Sequence, residues 1–348
     1  MLQESKVQIA GLLSIFLGIA LLTACEKNIT RERDSFFVKA NVKLNEGEYN
    51  EAIRYYNEAI NIDSTFADAY NNRGIALYEE GKYGKAVLDY NQAINLKESY
   101  ADAFYNRANA YYELGKLDQS LQDLDSVQKY YPDSAYVFFT KGLTLSEAGE
   151  YERAVQAMNQ AILLDSTNAE AFVNRGTVYY YQQNLDSAKK DINKALLLNS
   201  KEANAYNVKG LILTEEKDYQ EALKAFNKSL ALAPYQPYYL NNRGYLFLQM
   251  DSLERAKLDI NQSIKLDTQN SYAYRNKGLY YLMSGHAEEA VRLLRQALSI
   301  NKRTDKTHYY LGLALIEIGE NEEACNALNA AKLTHIEEVD SIYQQHCL

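Results

Sequence analysis

The chain has 348 residues, carries 37 Lys+Arg against 46 Asp+Glu for a formal net charge of −9, and contains no tryptophan. That balance argues against nucleic acid as a partner, because phosphate binding wants a basic face. Its 3 prolines and 16 glycines are too few to punctuate a many-stranded β protein, and 47% apolar with 24% charged residues is the composition of a folded chain.

The amino-terminal stretch reads as a leader. Residues 1–6 are mostly polar, and from Val7 to Leu22 the chain is nearly all Ile, Leu, Val, Ala, Gly and Phe, broken by Gln8 and Ser14. Such a run is short for the bilayer core and fits the apolar core of a signal peptide. It ends in Leu22-Thr23-Ala24-Cys25. A cysteine directly after small residues resembles a bacterial lipoprotein signal. The resemblance implies a signal peptide over 1–24, a lipid on Cys25 and a tether over 25–32. The chain is then expected on a membrane of the bacterial cell envelope, the outer membrane favoured, in an oxidising compartment. Glu26-Lys27 leaves the membrane face open.

From residue 33 the sequence repeats every 34 residues without insertion or deletion. One series of small residues runs Ala40, Gly74, Ala108, Gly142, Gly176, Gly210, Gly244, Gly278, Gly312. A second runs Ala52, Ala86, Ser120, Ala154, Ala188, Ala222, Ala256, Ala290, Ala324, and a third begins Ala59, Ala93, Val127, Ala161. Each unit reads as two helices. In the second unit the spacing predicts helices over about 68–80 and 84–96, with Gly81 in the left-handed position that ends the first. Small residues let the helices approach, and Tyr70, Leu77, Tyr83 and Tyr90 fill the space between them.

This pattern resembles the tetratricopeptide repeat family, whose signature is a 34-residue helix–turn–helix. The resemblance implies an all-α, right-handed superhelical solenoid of nine repeats over 33–338: 33–66, 67–100, 101–134, 135–168, 169–202, 203–236, 237–270, 271–304 and 305–338. Residues 339–348 are then a capping helix over the open apolar face of the last repeat. Two departures stand out. The motif's terminal proline survives as Pro132 and Pro234, and the turn glycine is replaced by Gln183, Lys217 and Asp251.

Comparing the repeats with one another yields a pairing rule. One residue before the first small series stand Lys39, Arg73, Arg107, Lys141, Arg175, Lys209, Arg243, Lys277 and Leu311. Sixteen residues after each Arg stands Asp (Asp89, Asp123, Asp191, Asp259), and after no Lys. A guanidinium fork fits a carboxylate and an ammonium does not, so these are expected as structural pairs between the two helices of one repeat. Their recurrence argues against acid–base catalysis.

No phosphate-binding glycine loop, H-E-x-x-H or G-x-S-x-G occurs. Cys325, Cys347, His335 and His346 lack the spacing of structural zinc motifs. No catalytic, cofactor-binding or metal-ligating residue is assigned, and no cofactor is expected. Function is therefore expected from surface.

In the family, first helices line a concave face. Mapped here, that face carries Asp34, Asp68, Asp102, Glu170, Glu79, Glu113, Glu147, Glu215 and Glu317 against Arg275 and Lys306. It also carries Asn41, Asn72, Asn106, Asn109, Asn174, Asn207, Asn241, Asn242 and Asn276, with Tyr78, Tyr105, Tyr112, Tyr180, Tyr181 and Tyr245. Some members clamp a terminal carboxylate with Lys–Asn–Asn–Lys–Arg. Here Asn41 and Asn72 match, but Phe37, Asp102 and Asn106 replace the cations, which excludes that ligand. The expected groove comprises Asp68, Asn72, Tyr78, Glu79, Asp102, Asn106, Asn109, Tyr112, Glu113, Glu147, Asn174, Tyr180 and Tyr181. Tyrosines offer rigid contact area, asparagines offer bonds to an extended backbone, and the charge suits a Lys- or Arg-rich segment. The expected function is a non-enzymatic, lipid-anchored scaffold or adaptor. The alternatives are a glycan- or peptidoglycan-binding module and an accessory subunit of an envelope enzyme complex. The oligomeric state is left open.

Cys325 follows the small Ala324 of the last repeat, and Cys347 sits where a following repeat's first helix would pack. The segment also resembles terminal tetratricopeptide units with an A-C…C ending. Two outcomes stay open for this pair, a Cys325–Cys347 disulfide that pins the end of the array or two buried free thiols.

Overall fold

The computed structural model describes residues 29–302, 304, 306–332 and 338–348. The signal-peptide residues, Cys25 and His335 lie outside them. Among the described residues every regular element is α-helical, and no helix is long and apolar enough to cross a membrane.

The chain divides into two compact units at Ser166/Thr167. In the first, helix α1 spans 29–45, so residues 29–32, expected as tether, are already helical. It is followed by α2 (Tyr49–Ile62), α3 (Ala67–Glu79), α4 (Tyr83–Leu96), α5 (Ala101–Glu113), α6 (Leu117–Tyr130), α7 (Ala135–Glu147) and α8 (Tyr151–Leu164). The second holds α9 (Ala169–Tyr181), α10 (Leu185–Leu198), α11 (Ala203–Glu215), α12 (Tyr219–Leu232), α13 (Pro237–Gln249) and α14 (Leu253–Leu266). It continues through α15 (Ser271–Met283), α16 (Ala287–Ile300), α17 (Thr307–Glu317), α18 (Asn321–Ala331) and α19 (Glu338–Cys347). Within each unit, every odd-numbered helix from α3 to α17 packs on the even one that follows, and the pairs stack in chain order.

The helix pair is fixed by a small residue facing a large one sixteen positions on. A methyl group placed on Gly74 would stand 2.5 Å from the Tyr90 ring, on Gly210 2.7 Å from Phe226, and on Gly278 2.6 Å from Leu294. Tyr90, Phe226 and Leu294 are all but inaccessible to solvent. Overpacking such a core displaces side chains or backbone, so these positions tolerate nothing larger than glycine at this separation.

One residue earlier in the chain, the arginines clamp the same crossing. Arg73 donates from Nε and Nη2 to the two carboxylate oxygens of Asp89 at 2.7 and 2.6 Å. Arg107–Asp123, Arg175–Asp191 and Arg243–Asp259 repeat the fork at 2.7–2.9 Å. A third bond, which the sequence pattern did not suggest, reaches back to the preceding second helix. Nη1 of Arg73, Arg107 and Arg243 donates to Asn57, Asn91 and Asn227 at 2.6, 2.7 and 2.8 Å. Each of these residues stands sixteen positions before its arginine, so one guanidinium ties three helices. Lys141, with Ala157 ahead of it, turns back to Asp125 at 2.7 Å.

The first helix of each pair ends in a Schellman turn. Gly81 N–H donates to the Tyr78 carbonyl and Lys82 N–H to the Leu77 carbonyl, with Gly81 at φ +72°. Gln183, Lys217 and Asp251 keep the same bonds and the same left-handed backbone, at φ +60°, +63° and +55°. Three consecutive repeats thus hold a side chain where glycine is favoured, a conformation that costs about 1–2 kcal/mol in L-residues.

At the carboxyl end, α19 buries only Val339 fully. It is joined to α18 by the Cys325–Cys347 disulfide, with the Cα atoms 5.6 Å apart. Lys332 adds a contact 3.6 Å above the Tyr343 ring.

Four variants probe the turns and the clamps by equilibrium unfolding. Lys217→Gly relieves the left-handed strain but loosens the unfolded chain, so equilibrium unfolding is expected to show a net gain of about 0.5–1 kcal/mol. Gly81→Ala is expected to lose a similar amount. Asp259→Ala leaves a half-buried guanidinium without its carboxylate and is expected to cost about 1–3 kcal/mol. The double change Arg243→Met/Asp259→Leu removes both charges and is expected to recover most of that loss in the same unfolding assay.

Candidate functional site

Successive first helices are joined by side-chain bonds at a 35-residue step, one position beyond the repeat. Asn106 donates to Asn71 at 3.0 Å, Asn242 to Asn207 at 3.0 Å and Asn276 to Asn241 at 2.8 Å. Tyr105 and Thr140 share a bond of 2.9 Å at the same step. Asn72 donates to Asn41 at 3.0 Å, and Tyr56 donates to the same Asn41 oxygen at 2.6 Å. Asn71, Asn207, Asn241 and Asn276 are buried.

This corrects the expected role of the asparagines. Asn41, Asn72 and Asn106, together with Asn207, Asn241, Asn242 and Asn276, spend amide groups on holding one helix to the next. Asn174 bonds the Glu170 carbonyl of its own helix at 2.9 Å. Asn109 lines a cleft and bonds the Tyr105 hydroxyl there.

That cleft lies in the first unit, has a volume of about 210 Å³ and is built by α3, α5 and α7. Tyr78, Tyr105, Tyr112 and Tyr136 wall it, Phe139 and Leu143 supply its apolar surface, and Glu113 is the one carboxylate among its lining residues. Tyr105 and Tyr136 pack with ring centroids 5.1 Å apart. Tyr78, Tyr105, Asn109, Tyr112 and Glu113 are expected from the sequence on this face; Tyr136, Phe139, Thr140 and Leu143 are added by the structure. Those four occupy the same repeat positions as residues expected there. Following every residue at those positions, rather than the polar ones alone, brings them in. A wider hollow of about 550 Å³, at the turns lined by Lys217, Asp218, Tyr219, Met250 and Asp251, is more open to solvent and has Tyr219 as its one aromatic.

The acidic residues of this face fall into two groups by helix position. Asp68, Asp102 and Glu170 occupy first turns, where the helix dipole favours an anion. Glu79, Glu113 and Glu147 are the last residues of α3, α5 and α7, where the dipole opposes one. All three are exposed, and among the described residues none is held in an ion pair. Glu215 ends α11 in the same way but has Lys306 Nζ at 4.0 Å and the Tyr180 hydroxyl at 3.4 Å.

The phenols register this charge. Burial foremost, then Glu113, pushes Tyr78 up to about 12. Burial, then Glu147 and Glu113, raises Tyr112. Tyr78 donates towards Glu113 over 3.5 Å, a weak contact that leaves the carboxylate open to a partner. Both phenols stay protonated through the neutral range.

Asn174, Tyr180 and Tyr181 belong to the second unit and form no part of this cleft. Tyr180 is largely enclosed, which raises its phenol well above the usual range. Of the histidines, His308 is half-buried, and burial lowers its pKa. Among the described residues no group of His, Cys, Asp and Glu could hold a metal ion.

Sequence models described as TPR repeat match residues 40–81, 74–115 and 142–183, and models described as tetratricopeptide repeat match 102–134, 173–237, 237–270 and 271–304. The matches take in most of the chain, which belongs to the tetratricopeptide repeat family. Members of the family typically serve as protein–protein interaction scaffolds. No curated protein matches the sequence. Among solved structures, a chain of the APC/C hetero-tetramer Cut9–Hcn1 superposes with a TM-score of 0.61 at 18% identity, over 80% of this chain and 55% of that one. This chain therefore spans about half the length of that relative. PilF of Pseudomonas aeruginosa superposes with a TM-score of 0.52 at 17% identity, over 61% of this chain and 96% of that one. Both likenesses concern the fold.

Proposed function

We propose that this chain is a non-enzymatic docking scaffold, lipid-anchored at Cys25 in the bacterial cell envelope, whose first unit receives a basic segment of another protein. The observation that carries the reading is the column Glu79, Glu113 and Glu147 beside the tyrosine cleft. Acidity that served solubility alone gains nothing from helix carboxyl ends, where each carboxylate costs about 0.3–1 kcal/mol. The first helices of three successive repeats, α3, α5 and α7, accept that cost beside one cleft. Open carboxylates above rigid phenols suit a partner rich in Lys or Arg, drawn in fast and released by salt. Export to an oxidising compartment is supported by the Cys325–Cys347 bridge, since such bonds persist outside the reducing cytosol.

The charge-reversed protein Glu79→Lys/Glu113→Lys tests the docking face. The probe is a fluorescein-labelled peptide of alternating Lys and Gly, followed by anisotropy at about 50 and 300 mM salt. The parent is expected to bind it and to lose most of that affinity at the higher salt. The reversed protein is expected to bind at least tenfold more weakly at low salt, with little dependence on salt, and to melt no lower than the parent. Equal binding by both proteins at both salt levels moves the site away from this face. The same titration with a chito-oligosaccharide is expected to show no binding.

A further inference from the structure

Resting on that reading of the acidic face, we infer that the cleft of α3, α5 and α7 is a socket for one lysine side chain, recognised through its ammonium and its alkyl stem together.

The walls are aromatic on three helices: Tyr78 from α3, Tyr105 and Tyr112 from α5, Tyr136 from α7. Ring faces attract a cation through their quadrupole, and they accept methylene groups at no polar cost. Leu143 and the buried Phe139 continue that apolar surface. One carboxylate, Glu113, stands among the lining residues, and its contact with the Tyr78 hydroxyl is long at 3.5 Å. A lysine is the side chain with this layout, a compact charge at the end of an apolar stem. An arginine is the poorer fit. Its planar fork calls for two parallel bonds to one carboxylate held in place, as at Asp89, Asp123, Asp191 and Asp259, whereas Glu113, the last residue of α5, is exposed and meets the Tyr78 hydroxyl only over 3.5 Å.

Three of the four tyrosine walls are held by contacts within the protein before any ligand arrives. Tyr105 is fixed to Thr140 at 2.9 Å, and its ring packs on Tyr136. Tyr78 packs on Tyr83 with centroids 5.2 Å apart. Asn106, one residue beyond Tyr105, ties α5 to α3 through Asn71 at 3.0 Å. Walls fixed this way lose little freedom on binding, which favours a specific contact over a general electrostatic one.

The test uses three labelled peptides of one sequence, bearing Lys, Nε-acetyl-Lys or Arg at alternate positions between glycines, and the variants Tyr112→Leu, Tyr136→Leu and Tyr235→Leu. Tyr235 lies outside the cleft and is exposed, so it serves as the control. The parent is expected to bind the Lys peptide at least tenfold more tightly than the acetylated one, and more tightly than the Arg one. Tyr112→Leu and Tyr136→Leu are expected to weaken the Lys peptide about three- to tenfold each, the size of a cation–aromatic contact. Their melting temperatures should stay at the parent value, and Tyr235→Leu should change neither quantity. Lys-peptide binding that falls with charge reversal yet is unmoved by either cleft substitution overturns the socket and leaves the acidic docking face standing. Binding of no basic peptide to any of the proteins overturns both.

Discussion

Everything in this molecule depends on how closely two helices of one repeat can cross. The crossing is set by a residue without a side chain, or with a methyl, facing a large one sixteen positions later, as Gly74 faces Tyr90 and Gly278 faces Leu294. Because the helices meet there, the next residue round can be an arginine whose fork reaches Asp across the pair and whose remaining nitrogen reaches Asn on the helix before. Packing fixes the separation, and the charge-assisted bonds fix the rotation about it. Gln183, Lys217 and Asp251 keep the left-handed backbone that the turn glycines of the other repeats adopt, so the turn is the same in every pair.

Holding the pairs leaves the outer side of the first helices free for other work, and that side is divided between two tasks. The 35-step bonds of Asn71–Asn106, Asn207–Asn242 and Asn241–Asn276 are structural and largely buried. The tyrosines and glutamates at the helix carboxyl ends of the first unit are accessible, and the glutamates stand against the local dipole. An arrangement that works against stability in one place and recurs on three helices is where a binding surface is to be sought. In the second unit the matching Glu215 already lies near Lys306 and Tyr180, so the same chemistry is partly self-occupied.

Much of the fold could be read from the chain because each repeat is an independent copy of the same constraint. Nine copies separate what every repeat needs, the small residue at the crossing, from what only some contain, such as the four Arg–Asp pairs. The site was less legible for three physical reasons. An asparagine is equally suited to a ligand backbone and to another asparagine, and only the three-dimensional 35-residue offset decides which it meets. Tyr136, Phe139 and Leu143 have the composition of core, and they become cleft lining only because α3, α5 and α7 present their aromatic positions to one another. The division at Ser166/Thr167 left no trace in the repeat register, which runs through it unbroken, so Asn174, Tyr180 and Tyr181 were grouped with residues of the other unit.

The central proposal is that a basic segment docks in the cleft of the first unit. The most direct measurement is nuclear magnetic resonance of protein labelled with ¹³C at the tyrosine rings, titrated with the unlabelled alternating Lys–Gly peptide. The ring signals of Tyr78, Tyr105, Tyr112 and Tyr136, assigned by single Tyr→Phe changes, are expected to shift together along one binding curve, while those of Tyr180, Tyr235 and Tyr310 stay in place. Shifts confined to the second unit, or to exposed tyrosines such as Tyr130 and Tyr131, would contradict it.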